Sequence, residues 1–83
     1  MTREEILESI QGVFREELEN PSLQLRFETT ASDVIGWDSL THVQLISAVE
    51  SVFKIRFSSK EIFQWKNVGE MVGSVVNKIA SMK

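Results

Sequence analysis

The chain has 83 residues and a formal net charge of −3, enough for one small domain near the lower limit for folding without staples. It has no cysteine and one histidine, which excludes a disulfide framework, a thiolate metal site and a multi-histidine metal site within the chain. Mild acidity is the wrong charge for nucleic acid, which demands a basic stripe.

No apolar run approaches the roughly 20 residues of a membrane span, and the acidic N-terminus does not read as a signal peptide. A single domain over 1–83, monomeric and cytoplasmic, is expected. Charge is unevenly spread. Residues 1–50 hold ten acids and three bases, net −7, whereas residues 51–83 hold two acids and six bases, net +4. Such asymmetry can mark an interaction surface, although its ordinary meaning is solvated helix faces.

Thr2-Arg3-Glu4-Glu5 fits a capping box and opens a first helix over about 3–19. At 100° per residue Ile6, Leu7, Ile10, Val13, Phe14 and Leu18 share one side. Glu4, Glu5, Glu8, Glu16 and Glu19 mostly take the other, so the acids read as a polar helix face rather than as paired catalytic carboxylates. Gly12 lies inside this helix, where close packing would explain it. Asn20-Pro21 ends the helix.

Residues 20–38 form a long connection without helical period. Alternating Leu23, Leu25 and Phe27 indicate an extended piece pinned to the core, and Thr29-Thr30-Ala31-Ser32-Asp33 reads as a turn cluster with a short helical turn after it. Loops this long in small domains are uncommon and are usually functional or disordered; its apolar content argues for packing.

A second helix is expected over 39–53. Leu45, Val49, Val52 and Phe53 cluster on one face with Ile46 on its margin, while Leu40 and Val43 fall on the opposite side. That pair is either an exposed contact patch or packed under the long loop. Ile55 and Phe57 turn inward by alternation. Ser58-Ser59-Lys60-Glu61 caps a short third helix to about residue 65, with Ile62, Phe63 and Trp65 as its apolar side. Asn67 caps a fourth helix over about 68–82, along which Val68, Met71, Val72, Val75, Val76, Ile79 and Met82 form one stripe. The fold class is therefore all-α: a small four-helix bundle of three main helices plus a short third, with a long loop between helices 1 and 2. Phe63, Trp65, Met71 and Met82 are read first as core, and only secondarily as lining for an apolar cavity.

The pointed feature is Asp38-Ser39 just past Gly36, where the loop becomes the second helix. Unpaired N–H groups and the dipole at a helix start favour an anion there. By itself the pair reads as an N-cap and a first helical residue. Other chemistry is poorly supported. A hydrolase elbow would read Gly-x-Ser-x-Gly after a strand, His42 reads as a solvent- or partner-facing residue, and Gly69 and Gly73 are too isolated for a phosphate loop.

Gly36-Trp37-Asp38-Ser39-Leu40, followed by an amphipathic helix, resembles the attachment site of acyl carrier proteins, and the likeness extends over nearly the whole chain. That resemblance implies the same bundle and a domain that is not an enzyme. Ser39 would bear 4′-phosphopantetheine, carrying acyl intermediates as thioesters; Asp38 would guide the transferase; Leu40 and Val43 would touch partner enzymes. The partners implied are a phosphopantetheinyl transferase, an acyl- or aminoacyl-loading ligase, and a downstream acyltransferase or synthase. Two departures from carriers of fatty acid synthesis stand out. The second helix has Glu50 as its only acid after Asp38, and Trp37 replaces a smaller residue. Both point to a dedicated stand-alone carrier of a specialised pathway. The alternatives are a peptidyl or aminoacyl carrier, or an unmodified interaction module of the same fold.

Overall fold

Thr2 opens the first helix through both halves of the expected box. In the computed structural model, which describes residues 1–81, the Thr2 hydroxyl accepts from the Glu5 N–H at 3.1 Å. The Glu5 carboxylate in turn accepts from the Thr2 N–H at 2.7 Å. The helix, α1, runs over Arg3–Glu17 and buries Ile6, Ile10, Val13 and Phe14. It stops two residues short of the expected end. Glu19 takes a left-handed conformation (φ 52°) and the Asn20 N–H returns to the Arg15 carbonyl at 2.9 Å, closing the last turn.

The long connection is packed, as its alternation predicts. Leu25 is buried, and Leu23 and Phe27 lie partly buried against the core. Side chains of α1 fasten it: Gln11 Oε1 accepts from the Leu25 N–H at 2.8 Å and Arg15 Nε donates to the Leu23 carbonyl at 2.6 Å. A 3₁₀ turn covers Ala31–Asp33, inside the Thr/Ser/Asp cluster rather than after it.

Beyond the loop come α2 (Ser39–Phe53), the one-turn α3 (Ser59–Ile62) and α4 (Val68–Ser81). α1 packs against both α2 and α4. Between them lie the fully buried side chains Ile6, Ile10, Phe14, Leu45, Val49, Val68, Met71, Val72 and Val75. The described residues are thus all helical, with three main helices and one short one.

Several expectations change. Ile46 is fully inside the core, not on its margin, whereas Val52, placed on the core face by its wheel position, is 54% exposed. α3 ends at Ile62, before Phe63 and Trp65, and none of its residues is buried. Phe63 is exposed rather than core, and Trp65, partly buried, follows the helix. Gly12 has open space where a Cβ would stand, so close packing does not account for it. Met82 lies outside the described residues.

The loop also reaches α4. The Val68 N–H donates to the Thr29 carbonyl at 2.8 Å and the Gly69 N–H to the Phe27 carbonyl at 2.6 Å, so loop carbonyls satisfy the first donors of α4. A Cβ at Gly69 would lie 2.8 Å from the Phe27 carbonyl oxygen. Gly69→Ala should therefore cost about 1–3 kcal/mol in denaturant unfolding. Gly12→Ala, in a helix with open space, should instead be neutral or stabilise by up to ~1 kcal/mol.

Candidate functional site

Val34 and Trp37 seat the end of the loop, and α2 starts where they leave it. Both are buried, while Ile35 between them is 94% exposed. The Trp37 ring meets Phe14 of α1 edge to face, centroids 4.8 Å apart at 87°. Gly36 makes the bend at φ 93°, a conformation in which a side chain would be strained.

Asp38 then caps α2. Its Oδ1 accepts from the N–H groups of Leu40 at 2.9 Å and Thr41 at 3.0 Å. Thr41 answers: its hydroxyl accepts from the Asp38 N–H at 2.9 Å and donates to the Gly36 carbonyl at 2.6 Å. The reciprocal box ties the glycine bend, the cap and the first helical turn into one unit. Hydrogen bonds from the N–H groups of Thr41 and Leu40 hold the Asp38 carboxyl below its ordinary range. Two of the donors expected to welcome an anion at this helix end, the N–H groups of Leu40 and Thr41, are thus already engaged by Asp38.

Ser39, the first residue of α2, is exposed, and its hydroxyl makes no hydrogen bond among the described residues. Leu40 is 85% and Val43 49% exposed, so the loop does not cover them. His42, expected to face solvent or a partner, is instead partly buried and bonded on both sides of its ring. Trp37 Nε1 donates to His42 Nδ1 at 2.9 Å, and His42 Nε2 lies 2.7 Å from the Ile62 carbonyl. No bond joins His42 to Ser39, so a Ser–His nucleophile is not formed. A cleft of about 250 Å³ opens beside Ser39, lined mainly by Trp37, His42, Phe63, Trp65 and Met71.

Sequence reasoning gave no role here to Ile35 or Thr41, turned His42 toward solvent or a partner, and took Phe63 first as core. The Thr41 role was accessible: Asp-x-x-Thr at 38–41 has the spacing of a capping box. The Ile35 exposure had no such signal: Val34 and Trp37 are buried three residues apart, with Ile35 and Gly36 both exposed between them. The His42 bond to the Ile62 carbonyl depends on where α3 ends and carries no sequence signal.

A group esterified to Ser39 Oγ would find no side chain covering it, and the cleft lies alongside; the site fits such a modification. Among the described residues no group of His, Asp and Glu is placed to hold a metal ion. The Asp38 cap has a signed pH consequence. Its folded-state pKa is depressed, so its contribution is complete above the ordinary value of 3.8 and is lost as pH falls through the lower folded-state value. Asp38→Ala should lower the melting temperature at pH 7. Asp38→Asn, which keeps an acceptor, should differ from wild type in showing a weaker loss below about pH 4.

Comparison with known proteins agrees with this geometry. Residues 8–75 match the family model for a phosphopantetheine attachment site. The chain is 33% identical over 79 residues to the acyl carrier protein of Cyanidium caldarium, covering 95% of this chain and 92% of that one. It is 34% identical over 76 residues to the acyl carrier protein of Helicobacter acinonychis, covering 90% and 97%. The solution NMR structure of holo acyl carrier protein from Geobacter metallireducens superposes with a TM-score of 0.84 at 37% identity, over 92% of this chain and 87% of that one. With the match running from within α1 to within α4 and relatives above 30% identity along nearly its full length, this chain belongs to the acyl carrier protein family.

Proposed function

We propose that Ser39 is the residue on which this carrier holds 4′-phosphopantetheine, through a phosphodiester to its Oγ, and that the carrier serves a specialised pathway rather than bulk fatty acid synthesis. The observation that carries the attachment reading is an exposed, unbonded hydroxyl on the first residue of α2, inside the matched region. When bound, the group supplies the thiol that this cysteine-free chain lacks, and with it a thioester linkage to an acyl cargo.

The chain's own residues hold and present. Asp38 and Thr41 fix the backbone on both sides of Ser39, so the hydroxyl stands at a defined place for a transferase to find. No hydrogen bond links Ser39 Oγ to Asp38 or His42, so the base that activates the hydroxyl belongs to the transferase. Leu40 and Val43, exposed beside the serine, offer the apolar contact to partner enzymes. The domain is a carrier rather than an enzyme. Its effect is a raised local concentration of cargo at each partner through a flexible tether.

The pathway reading is supported by the surface of α2. Beyond Ser39, its exposed polar residues are Gln44, Ser47 and Ser51, and the Glu50 carboxylate is drawn aside to accept from the Phe57 N–H at 2.7 Å. A face without free charge steers weakly toward basic partner surfaces. Partners recognising it do so mainly through shape and apolar contact.

Incubation with coenzyme A and a permissive phosphopantetheinyl transferase should add one phosphopantetheine to the intact mass of wild type and none to Ser39→Ala. Unchanged wild-type mass with two different transferases, on protein shown to be folded, would instead favour an unmodified interaction module. Leu40→Ala should slow the transfer about tenfold, the scale of a ~1.4 kcal/mol contact, while leaving stability within about 0.5 kcal/mol.

A further inference from the structure

α3 is a helical turn of four residues with no buried side chain. Polar links hold it and the segment after it: the Glu61–Lys78 ion pair at 3.2 Å, the Trp65 Nε1 bond to Ser74 Oγ at 2.8 Å, and His42 Nε2 on the Ile62 carbonyl at 2.7 Å. The first two run to α4. The third crosses the cleft to the helix that bears Ser39. Ile62 is the only apolar side chain of α3 that packs, partly buried, against the core, so the position of α3 leans on these links.

The chemistry of the His42 contacts dictates its proton. An indole N–H is only a donor, so Nδ1 must be the bare acceptor; a carbonyl is only an acceptor, so Nε2 must carry the hydrogen. Both bonds are satisfied by one form alone, the neutral Nε2–H tautomer. The imidazolium would set an Nδ1–H against the Trp37 N–H. The ring also lies nearly parallel to Trp37, edge to edge (centroids 5.9 Å apart, 16°), and 5.5 Å from the Phe63 ring, so its displacement would disturb the aromatic lining of the cleft.

We propose that neutral His42 is a positioning residue, a latch that fixes α3 to α2 and so sets the width of the cleft beside Ser39, and that protonation releases it. Among charged groups around this cluster, Asp38 is committed to capping α2 and Lys66 lines the cleft. Glu61 of α3 is held by Ser58 and Lys78, and Glu70 of α4 accepts from the Lys66 N–H at 3.2 Å. α1 meets the cluster through Phe14, which is uncharged. None of these groups is bonded to the imidazole. The latch itself is independent of any modification; that it governs what a Ser39-borne group can lean against rests on the attachment reading above.

The test uses the full unmodified chain, so its failure is separate from failure of that reading. In a long-range nitrogen–proton NMR spectrum at pH 7.5, His42 should appear as the Nε2–H tautomer. Acidification from pH 7.5 until the His42 ring is protonated should lower the protection of the Trp37 indole proton against exchange at least tenfold, once the intrinsic slowing of exchange with falling pH is divided out. It should also shift the backbone amides of residues 59–64 with the same midpoint as the His42 ring. His42→Gln, whose amide can accept from Trp37 and donate to Ile62, should keep the closed spectrum across that range. His42→Phe should show the open one throughout. An Nδ1–H tautomer, α3 amides that do not follow the His42 ring, or a His42→Gln variant that titrates like wild type would each overturn the latch. If His42→Phe does not fold, the comparison of wild type with His42→Gln decides between latch and no latch.

Discussion

The presentation of Ser39 depends on the seating of Trp37 against Phe14. Phe14 belongs to the face of α1 that builds the core, and Trp37 is the last residue before the cap of α2. Their edge-to-face contact couples the start of the serine-bearing helix to the most buried part of the molecule. Burial of a side chain of this size is worth about 3 kcal/mol, a large share of the stability of so small a domain. The same indole donates to His42, so one side chain positions the loop, the helix start and, through His42, the short third helix.

Around this anchor the polar groups are shared rather than duplicated. Asp38 answers two helix donors, and Thr41 returns a bond to the Asp38 backbone and another to the glycine bend. Ser39 is left out of the network, which is why its hydroxyl is available. The surface beside it is apolar at Ile35, Leu40 and Val43 and nearly without free charge along α2. On the reading proposed above, such a face would meet partner enzymes by contact more than by long-range attraction.

Much of this was readable in the amino-acid order because local signals agreed with one another. Thr2, Asp38, Ser58 and Asn67 each cap the helix they precede, and the stripes of α1 and α4 match their buried faces. The attachment motif fell where the loop meets α2. What was not readable depended on tertiary neighbours. Val52 shares a wheel face with Val49, yet no element covers it at the end of α2. The third helix was expected to reach Trp65, but the chain leaves the helix after Ile62; Ile62 and Trp65 reach the core only in part and Phe63 stays exposed. His42 looked free because one of its two partners is a carbonyl twenty residues away, a group that every sequence contains, and the other is an indole turned toward it by the loop.

Ser39 is held in place only if the connection 20–38 is a packed element rather than a tether. Backbone nitrogen relaxation along the chain measures this directly. Order parameters for residues 23–37 near the ~0.85 of rigid backbone, level with α1 and α4, are the predicted result. Values below about 0.6 through that stretch, with the helices still rigid, would contradict it, since the serine would then be presented by a mobile loop and not by the Trp37 seat.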